Sequence, residues 1–284
     1  MIDPIRIGIS SCLLGNNVRY DGGHARDRFI TQTLGMFAEY VPVCPEVECG
    51  MPVPREAVRL VGDPETPRMV TQKGGVDKTE QMNAWIEDRL KGLEAENLCG
   101  FIFKSKSPSS GLYRIRVYGD DGKVRKNGTG LFARAFTERF PRIPVEEAGR
   151  LHDPKLREQF IENIFSLQRW RNLLETNRTL GGLVEFHTNN KLLILSHSPE
   201  QYRQLGKLVA RGKQMDANDL FDTYEQVLLK ALSLTTTLKK NINVLQHIMG
   251  FFKKELTGAE KQELLTIFDQ YGEGYVPLIV PITL

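Results

Sequence analysis

With 284 residues, 40% hydrophobic and 26% charged, the chain has ordinary globular composition and a length suited to two domains, which excludes disordered and collagen-like classes. No run of about 18 apolar residues occurs, so a spanning helix is not expected. The start, Met1-Ile2-Asp3-Pro4-Ile5-Arg6, lacks the basic and apolar regions of a signal peptide, so a cytoplasmic protein without a membrane partner is expected. Residues 1–150 carry 22 Lys+Arg against 20 Asp+Glu, and residues 151–284 carry 16 against 15, so neither half binds polyanions by net charge alone.

Taken in chain order, Ile5, Ile7 and Ile9 alternate and predict a strand over 4–10. A loop with Ser11-Cys12 and Tyr20-Asp21-Gly22-Gly23 follows, and Val41-Pro-Val-Cys44 predicts a second strand. Pro45, Pro52 and Pro54 argue against regular structure beyond it. Asp77 and Glu80 read as a capping box for a helix whose stripe is Met82, Trp85, Ile86, Leu90 and Leu93. Residues 98–103 read as a buried strand running into Lys104-Ser-Lys-Ser-Pro-Ser-Ser-Gly111. Asp120-Asp121-Gly122 predicts a hairpin, and a phenylalanine-rich helix over 131–140 closes the half.

The pattern changes near Gly149. Asp153-Pro154 predicts a capped helix start, followed by helical spacing of Leu156, Phe160, Ile164, Leu167, Trp170 and Leu174. Boxes at Ser198–Gln201 and Thr257–Glu260 open further helices, and 220–232 and 236–252 repeat the pattern. The fold class expected is a Rossmann-like α/β domain, mostly parallel with a hairpin, over 1–148, then an all-α domain over 153–284.

Four cysteines (Cys12, Cys44, Cys49 and Cys99) are too few for a disulfide framework; metal binding, catalysis and plain burial stay open. Cys99 lies in an apolar strand and reads as packing. Cys12, the 44–49 segment and the Ser107–Ser110 loop each follow the C-terminal end of an expected strand, where open α/β sheets bind ligands. Soft sulfur donors there would select zinc, copper(I) or an iron–sulfur cluster. Between Lys104 and Arg142 stand ten basic and three acidic residues, a local excess able to meet phosphates or simply to be solvated. His187, Lys191 and His197 form no convincing metal pair and read as core or helix-end residues.

Four motifs in order, Ser10-Ser-Cys-Leu-Leu-Gly15, Val18-Arg-Tyr-Asp-Gly-Gly23, Cys44-Pro-Glu-Val-Glu-Cys-Gly-Met-Pro-Val-Pro-Arg55 and Lys104-Ser-Lys-Ser-Pro-Ser-Ser-Gly111, resemble the thiouracil desulfidase family over about residues 5–145. Phe186-His187, Lys191-Leu-Leu and His197-Ser-Pro resemble the helical domain of unknown function often fused to it, although the chain ends at Leu284, earlier than expected for a whole such domain. Fused chains of this kind resemble desulfidases of 4-thiouridine in tRNA.

The resemblance implies a [4Fe-4S] cluster on three cysteines with one iron open, removing sulfur from a thiolated pyrimidine without redox change. It implies Glu46 as acid/base group, Ser107 and Ser109 as substrate hydroxyls, and Asp21 and Arg55 as loop braces. The family's third loop reads Ser-Pro-Ser-Cys-Gly, whereas this chain has Ser110, and Cys49 stands where the family has no cysteine. The expected ligand set is therefore Cys12, Cys44 and Cys49, with tRNA as the carrier of the substrate. Action on free thiouracil or thiouridine, and a non-catalytic metal-binding module that interacts with RNA, stay open at this point, as does oligomeric state.

Overall fold

The computed structural model describes residues 4–284; residues 1–3, part of the stretch read as lacking a signal peptide, lie outside the described residues. The chain divides into two compact units, Met1–Gln168 and Arg169–Leu284. The division falls later than the expected boundary because the helix that opens at Pro154 begins inside the first unit: its Phe160 and Ile164 bury against the isoleucines of the first strand.

The first unit holds two four-stranded sheets. One has the order β2-β1-β5-β8, formed by β1 (Ile5–Ser10), β2 (Ala38–Val43), β5 (Gly100–Phe103) and β8 (Val145–Glu147), all parallel. The other has the order β4-β3-β6-β7, from β3 (Val58–Val61), β4 (Arg68–Thr71), β6 (Ile115–Tyr118) and β7 (Val124–Gly128). Its β3 pairs with β6 in parallel and its other pairs are antiparallel, β6–β7 being the hairpin expected at Asp120-Asp121-Gly122.

The central strand β1 is buried along almost its whole length, as parallel strands covered on both faces are. On one side Phe101 and Phe103 of β5 meet Phe132 and Phe136 of α3 (Leu131–Arg139), in a core shared with α2 (Thr79–Glu94) and with Leu60 and Met69 of the second sheet. Each aromatic pair adds roughly 0.5–1.5 kcal/mol beyond its buried area. On the other side Ile5, Ile7, Ile9 and Ile102 pack on Ile30, Leu34, Leu151, Phe160 and Ile164.

Two local readings are corrected. Pro45 does not prevent helix; it starts the short α1 (Pro45–Glu48), because proline fits the first turn, where no N–H partner is needed. Asp77 is not the N-cap of α2: Lys78 holds that position, and the Asp77 carboxylate, one residue earlier, accepts from the amide of the first helical residue, Thr79 (2.9 Å).

The second unit is helical. It contains the last turns of α4 (Pro154–Thr176), then α5 (Leu180–His197), α6 (Pro199–Arg211), α7 (Ala217–Ser233), α8 (Leu238–Phe251), α9 (Gly258–Gly272) and α10 (Ile279–Thr283). Thr179, Ser198, Asp216, Thr237 and Thr257 each cap a helix N-terminus through the side chain, and Thr257 with Glu260 forms the full box. Trp170 stacks on Tyr224 with centroids 5.2 Å apart, and Phe186 and Phe221 complete that core. His187 Nδ1 lies 3.0 Å from Tyr224 Oη, and His197, fully buried, lies 2.7 Å from the Leu234 carbonyl oxygen; both histidines serve packing and helix ends. No helix among the described residues is long and apolar enough to cross a membrane.

Candidate active site

Parallel pairing brings the C-terminal ends of β2, β1 and β5 side by side. Ser10 at the end of β1 is in register with Val43 of β2, and Ile9 with Ile102 of β5. Cys12, Cys44 and the Ser107–Ser110 loop lie just past those ends. They open onto one cleft of about 820 Å³ that also takes in Glu46, Lys104 and the outer face of the second sheet. Sequence reversal at β1, with β2 on one side and β5 on the other, makes this the ligand crevice expected of an open α/β sheet.

The loops are tied together. Lys104 N donates to Ser10 Oγ (2.9 Å), joining the loops after β5 and β1. The Ala25 amide donates to the Cys12 carbonyl (2.9 Å), and the Arg55 amide to the Tyr20 carbonyl (2.8 Å). The serine loop rests on the start of α3, where the Phe132 and Leu131 amides donate to the Ser109 (2.9 Å) and Pro108 (3.2 Å) carbonyls. Gly130 permits that contact: a Cβ there would stand 2.6 Å from the Ser109 backbone. Lys106 and Arg114, on either side of the loop, hold left-handed backbone (φ 61° and 54°), a conformation uncommon outside glycine.

Glu46 is the most constrained group in the cleft. Arg55 Nε and Nη2 donate to its Oε2 at 3.0 and 2.5 Å, and both side chains are largely buried. Its Oε1 accepts from Ser109 Oγ at 2.9 Å, and Ser109 Oγ lies 3.0 Å from Ser107 Oγ. The structure thus brings Glu46, Ser107 and Ser109 into one hydrogen-bonded chain. Arg55, expected only as a loop brace, also donates to the Val18 carbonyl (3.0 Å) and directly orients the carboxylate. Asp21 stays apart from this chain, bonded to Arg19 and to the Gly23 amide (3.0 Å).

The thiols divide. Cys12 and Cys44 both line the cleft. Burial pushes the Cys12 thiol up to about 11, against the opposing pull of the Lys104 ammonium, and raises Cys44 as well. Burial in turn lowers Lys104. Desolvation here outweighs the nearby cations and favours the protonated thiols; a bound metal reverses that balance and makes thiolates of them.

Cys49 follows α1 and is not among the residues lining the cleft. Its Sγ donates to the Glu46 carbonyl (3.3 Å) and packs on the core, and burial raises its thiol too. Among the described residues no three His, Cys, Asp or Glu side chains are grouped to hold a metal. Cys99 is buried in the core on the far face of β5, where its thiol donates to Gln168 Oε1 (3.0 Å).

The basic 104–142 segment singled out in the sequence contributes Arg116 and Lys126 to the opposite wall, while Arg59 and the facing of all three were not expected. Arg59 of β3 and Arg116 of β6 alternate with buried Val58, Leu60, Ile115 and Val117, so the second sheet turns its cations toward the cleft, with Lys126 of β7 beside them. The Arg59 guanidinium stacks on Tyr118 at 5.2 Å. The period-two pattern Val58-Arg59-Leu60 was the available signal. With Arg19, Arg55, Lys104, Lys106 and Arg114 from the loops, eight basic side chains among the described residues line the cleft, against one carboxylate, Glu46.

Comparison with known proteins defines the class. A family model described as 2-thiouracil desulfurase matches residues 7–148, half of the chain, and the chain belongs to that family. It is a desulfidase whose C-terminal part, residues 191–284, matches a model of a protein of unknown function, DUF1722. Two curated relatives are similar to it. Uncharacterized protein YbgA of Escherichia coli (strain K12) is 34% identical over 120 residues, 42% of this chain and 71% of the relative. Uncharacterized protein YbbK of Bacillus subtilis (strain 168) is 32% identical over 109 residues, 36% and 71% respectively. A solved structure of a [4Fe-4S]-dependent thiouracil desulfidase, TudS, is 29% identical with a TM-score of 0.45, covering 54% of this chain and 97% of that chain.

Proposed function

We propose that this desulfidase removes sulfur from thiolated pyrimidines, specifically 4-thiouridine carried in tRNA, with a [4Fe-4S] cluster and in the cytoplasm, whose reducing conditions keep such thiols available. The observation that carries the reading is a carboxylate held by Arg55 and a serine pair, in the same cleft as two thiols and behind a wall of cations. Cys12 and Cys44, soft sulfur donors on neighbouring strand ends, supply two of the three thiolates that such a cluster takes. A cluster held there would supply Lewis acidity toward thiocarbonyl sulfur.

The chain's own residues do the rest. The overall change is thiocarbonyl plus water giving carbonyl plus hydrogen sulfide, with no electron transferred. Glu46 Oε1, already a hydrogen-bond acceptor, is the atom that takes a proton from water and passes it to the departing sulfur or the ring nitrogen. Arg55 fixes the other oxygen, so the carboxylate does not turn away. Ser107 and Ser109 hydroxyls hold the pyrimidine edge. The eight cations favour a substrate that brings phosphates, which a free base lacks.

The test compares sulfide release from tRNA containing 4-thiouridine, from free 4-thiouridine and from 2-thiouracil, using anaerobically loaded protein. Preference for tRNA, falling steeply as salt rises, is expected. Equal or better turnover of the free compounds rejects the tRNA assignment, and no sulfide from any of the three rejects the desulfuration reading.

A further inference from the structure

Resting on the desulfidase reading above, we infer that Glu147, at the carboxyl end of β8, is a positioning residue for the reaction. It clamps the exit of the serine loop and so sets Ser107 and Ser109 against Glu46.

Strand β8 lies beside β5, with Glu147 in register with Phe103, the last residue before the chain leaves the sheet for the serine loop. The residues after Glu147 take the entry to that loop. The Ala148 amide donates to the Phe103 carbonyl (2.9 Å) and the Gly149 amide to Ser105 Oγ (3.2 Å). Glu147 itself takes the exit, its Oε1 accepting from the Leu112 (2.8 Å) and Tyr113 (3.1 Å) amides. Both ends of the loop are thus held by one short segment, Glu147-Ala148-Gly149.

Glu147 is 6% exposed, and no cation pairs with it among the described residues; the neighbouring Glu146 takes Arg150 instead (2.8 Å). A carboxylate is costly to bury unless hydrogen bonds meet its charge, and here two backbone amides do so. The clamp reaches the site in short steps. Gly111, just before Leu112, donates its amide to the Ser107 carbonyl (2.7 Å) and accepts from the Gly130 amide (2.7 Å). Ser107 Oγ then lies 3.0 Å from Ser109 Oγ, which donates to Glu46 Oε1 (2.9 Å). Glu147 is not among the residues lining the cleft, so it acts through the loop and does not touch substrate.

Reach, not charge, is what this clamp requires. Glu147→Gln keeps the reach and an acceptor oxygen, whereas Glu147→Asp keeps the charge and draws the oxygen back by one methylene. The test measures kcat and KM for sulfide release per loaded site in the full chain, beside hydrogen exchange of peptides covering residues 104–114 and circular dichroism as a check on folding. Glu147→Gln is expected to keep most of the wild-type kcat and the wild-type exchange. Glu147→Asp and Glu147→Ala are expected to lose kcat on the order of 10–10²-fold, as small misplacements of reacting groups do, and to exchange the loop amides faster. Because Glu147 acts through Ser109, adding Ser109→Ala to Glu147→Asp is expected to cost less than the product of the two single losses. Wild-type kcat and exchange in Glu147→Asp, a Glu147→Gln protein as slow as Glu147→Asp, or losses that multiply in the double variant would overturn the assignment. Should Glu147→Ala fail to fold, the Gln and Asp variants decide. Wild type that releases no sulfide from any of the three compounds counts against the desulfuration reading, whereas the exchange comparison needs no turnover and tests the clamp by itself.

Discussion

In the proposed reaction Glu46 is the acid/base group: it sits in the cleft with the thiols, and both of its oxygens are held by hydrogen bonds. Glu46→Gln keeps the shape but removes the proton acceptor, so turnover should fall by roughly 10²–10⁴-fold with cluster content unchanged. Iron analysis beside a sulfide assay checks both halves of that statement. Arg55→Met leaves a largely buried carboxylate without its partner, and removing one member of such a pair costs about 3–5 kcal/mol. Chemical denaturation should record a loss of that order, together with lower turnover. The motif around Cys44-Pro-Glu46 made the carboxylate legible in the sequence. Arg55 was read only as a brace because the eight residues between them hide a contact made by the fold.

The elements that hold these residues are a serine loop seated on α3 and a set of capped helices in the second unit. Gly130→Ala places a methyl group 2.6 Å from the Ser109 backbone, so the loop must shift; overpacking of this kind costs roughly 1–3 kcal/mol. Turnover should drop along with a measurable fall in melting temperature, and unchanged activity would show that the loop tolerates displacement. In α5, burial first and Lys191 second hold the His187 imidazole below its ordinary value near 6.5. The unfolded chain then binds more protons than the fold as pH drops below that value. The stabilising preference for neutral His187 is present above it and lost progressively below it. Wild type should therefore lose more stability between pH 7.5 and 5.5 than His187→Gln, as thermal unfolding of the full chain at both pH values reveals; identical losses would contradict this.

Strands β1, β2 and β5, the β6–β7 hairpin, α3 and most of the later helices were legible because each carries a clean period or a turn signal. Helix α5 was not, since Leu192-Leu193-Ile194-Leu195 is apolar on all sides and shows no amphipathic period. Nor were β3 and β4 of the second sheet, which have only four residues each and depend on pairing across the chain.

At the scale of the whole molecule, an overall charge of +3 conceals a cleft with eight cations around one carboxylate. Only folding gathers Arg59, Arg116 and Lys126 of the second sheet opposite Lys104 and Lys106 of the first, which is why net charge by halves missed it. Neutralising Arg59 and Arg116 together should weaken tRNA affinity and flatten its dependence on salt, because fewer counterions are released on binding. A titration at several salt concentrations reads this slope, and an unchanged slope would remove these residues from the binding surface. The proposed function requires that Cys12 and Cys44 hold a sulfur-accepting cofactor in the cleft with Glu46 and that water, not a reductant, replaces the sulfur. Its most direct measurement is anaerobic turnover of 4-thiouridine in ¹⁸O-labelled water with loaded protein and no added reductant. Equal amounts of sulfide and ¹⁸O-labelled uridine are predicted, whereas turnover that requires a reductant, or a product lacking the label, would contradict the account.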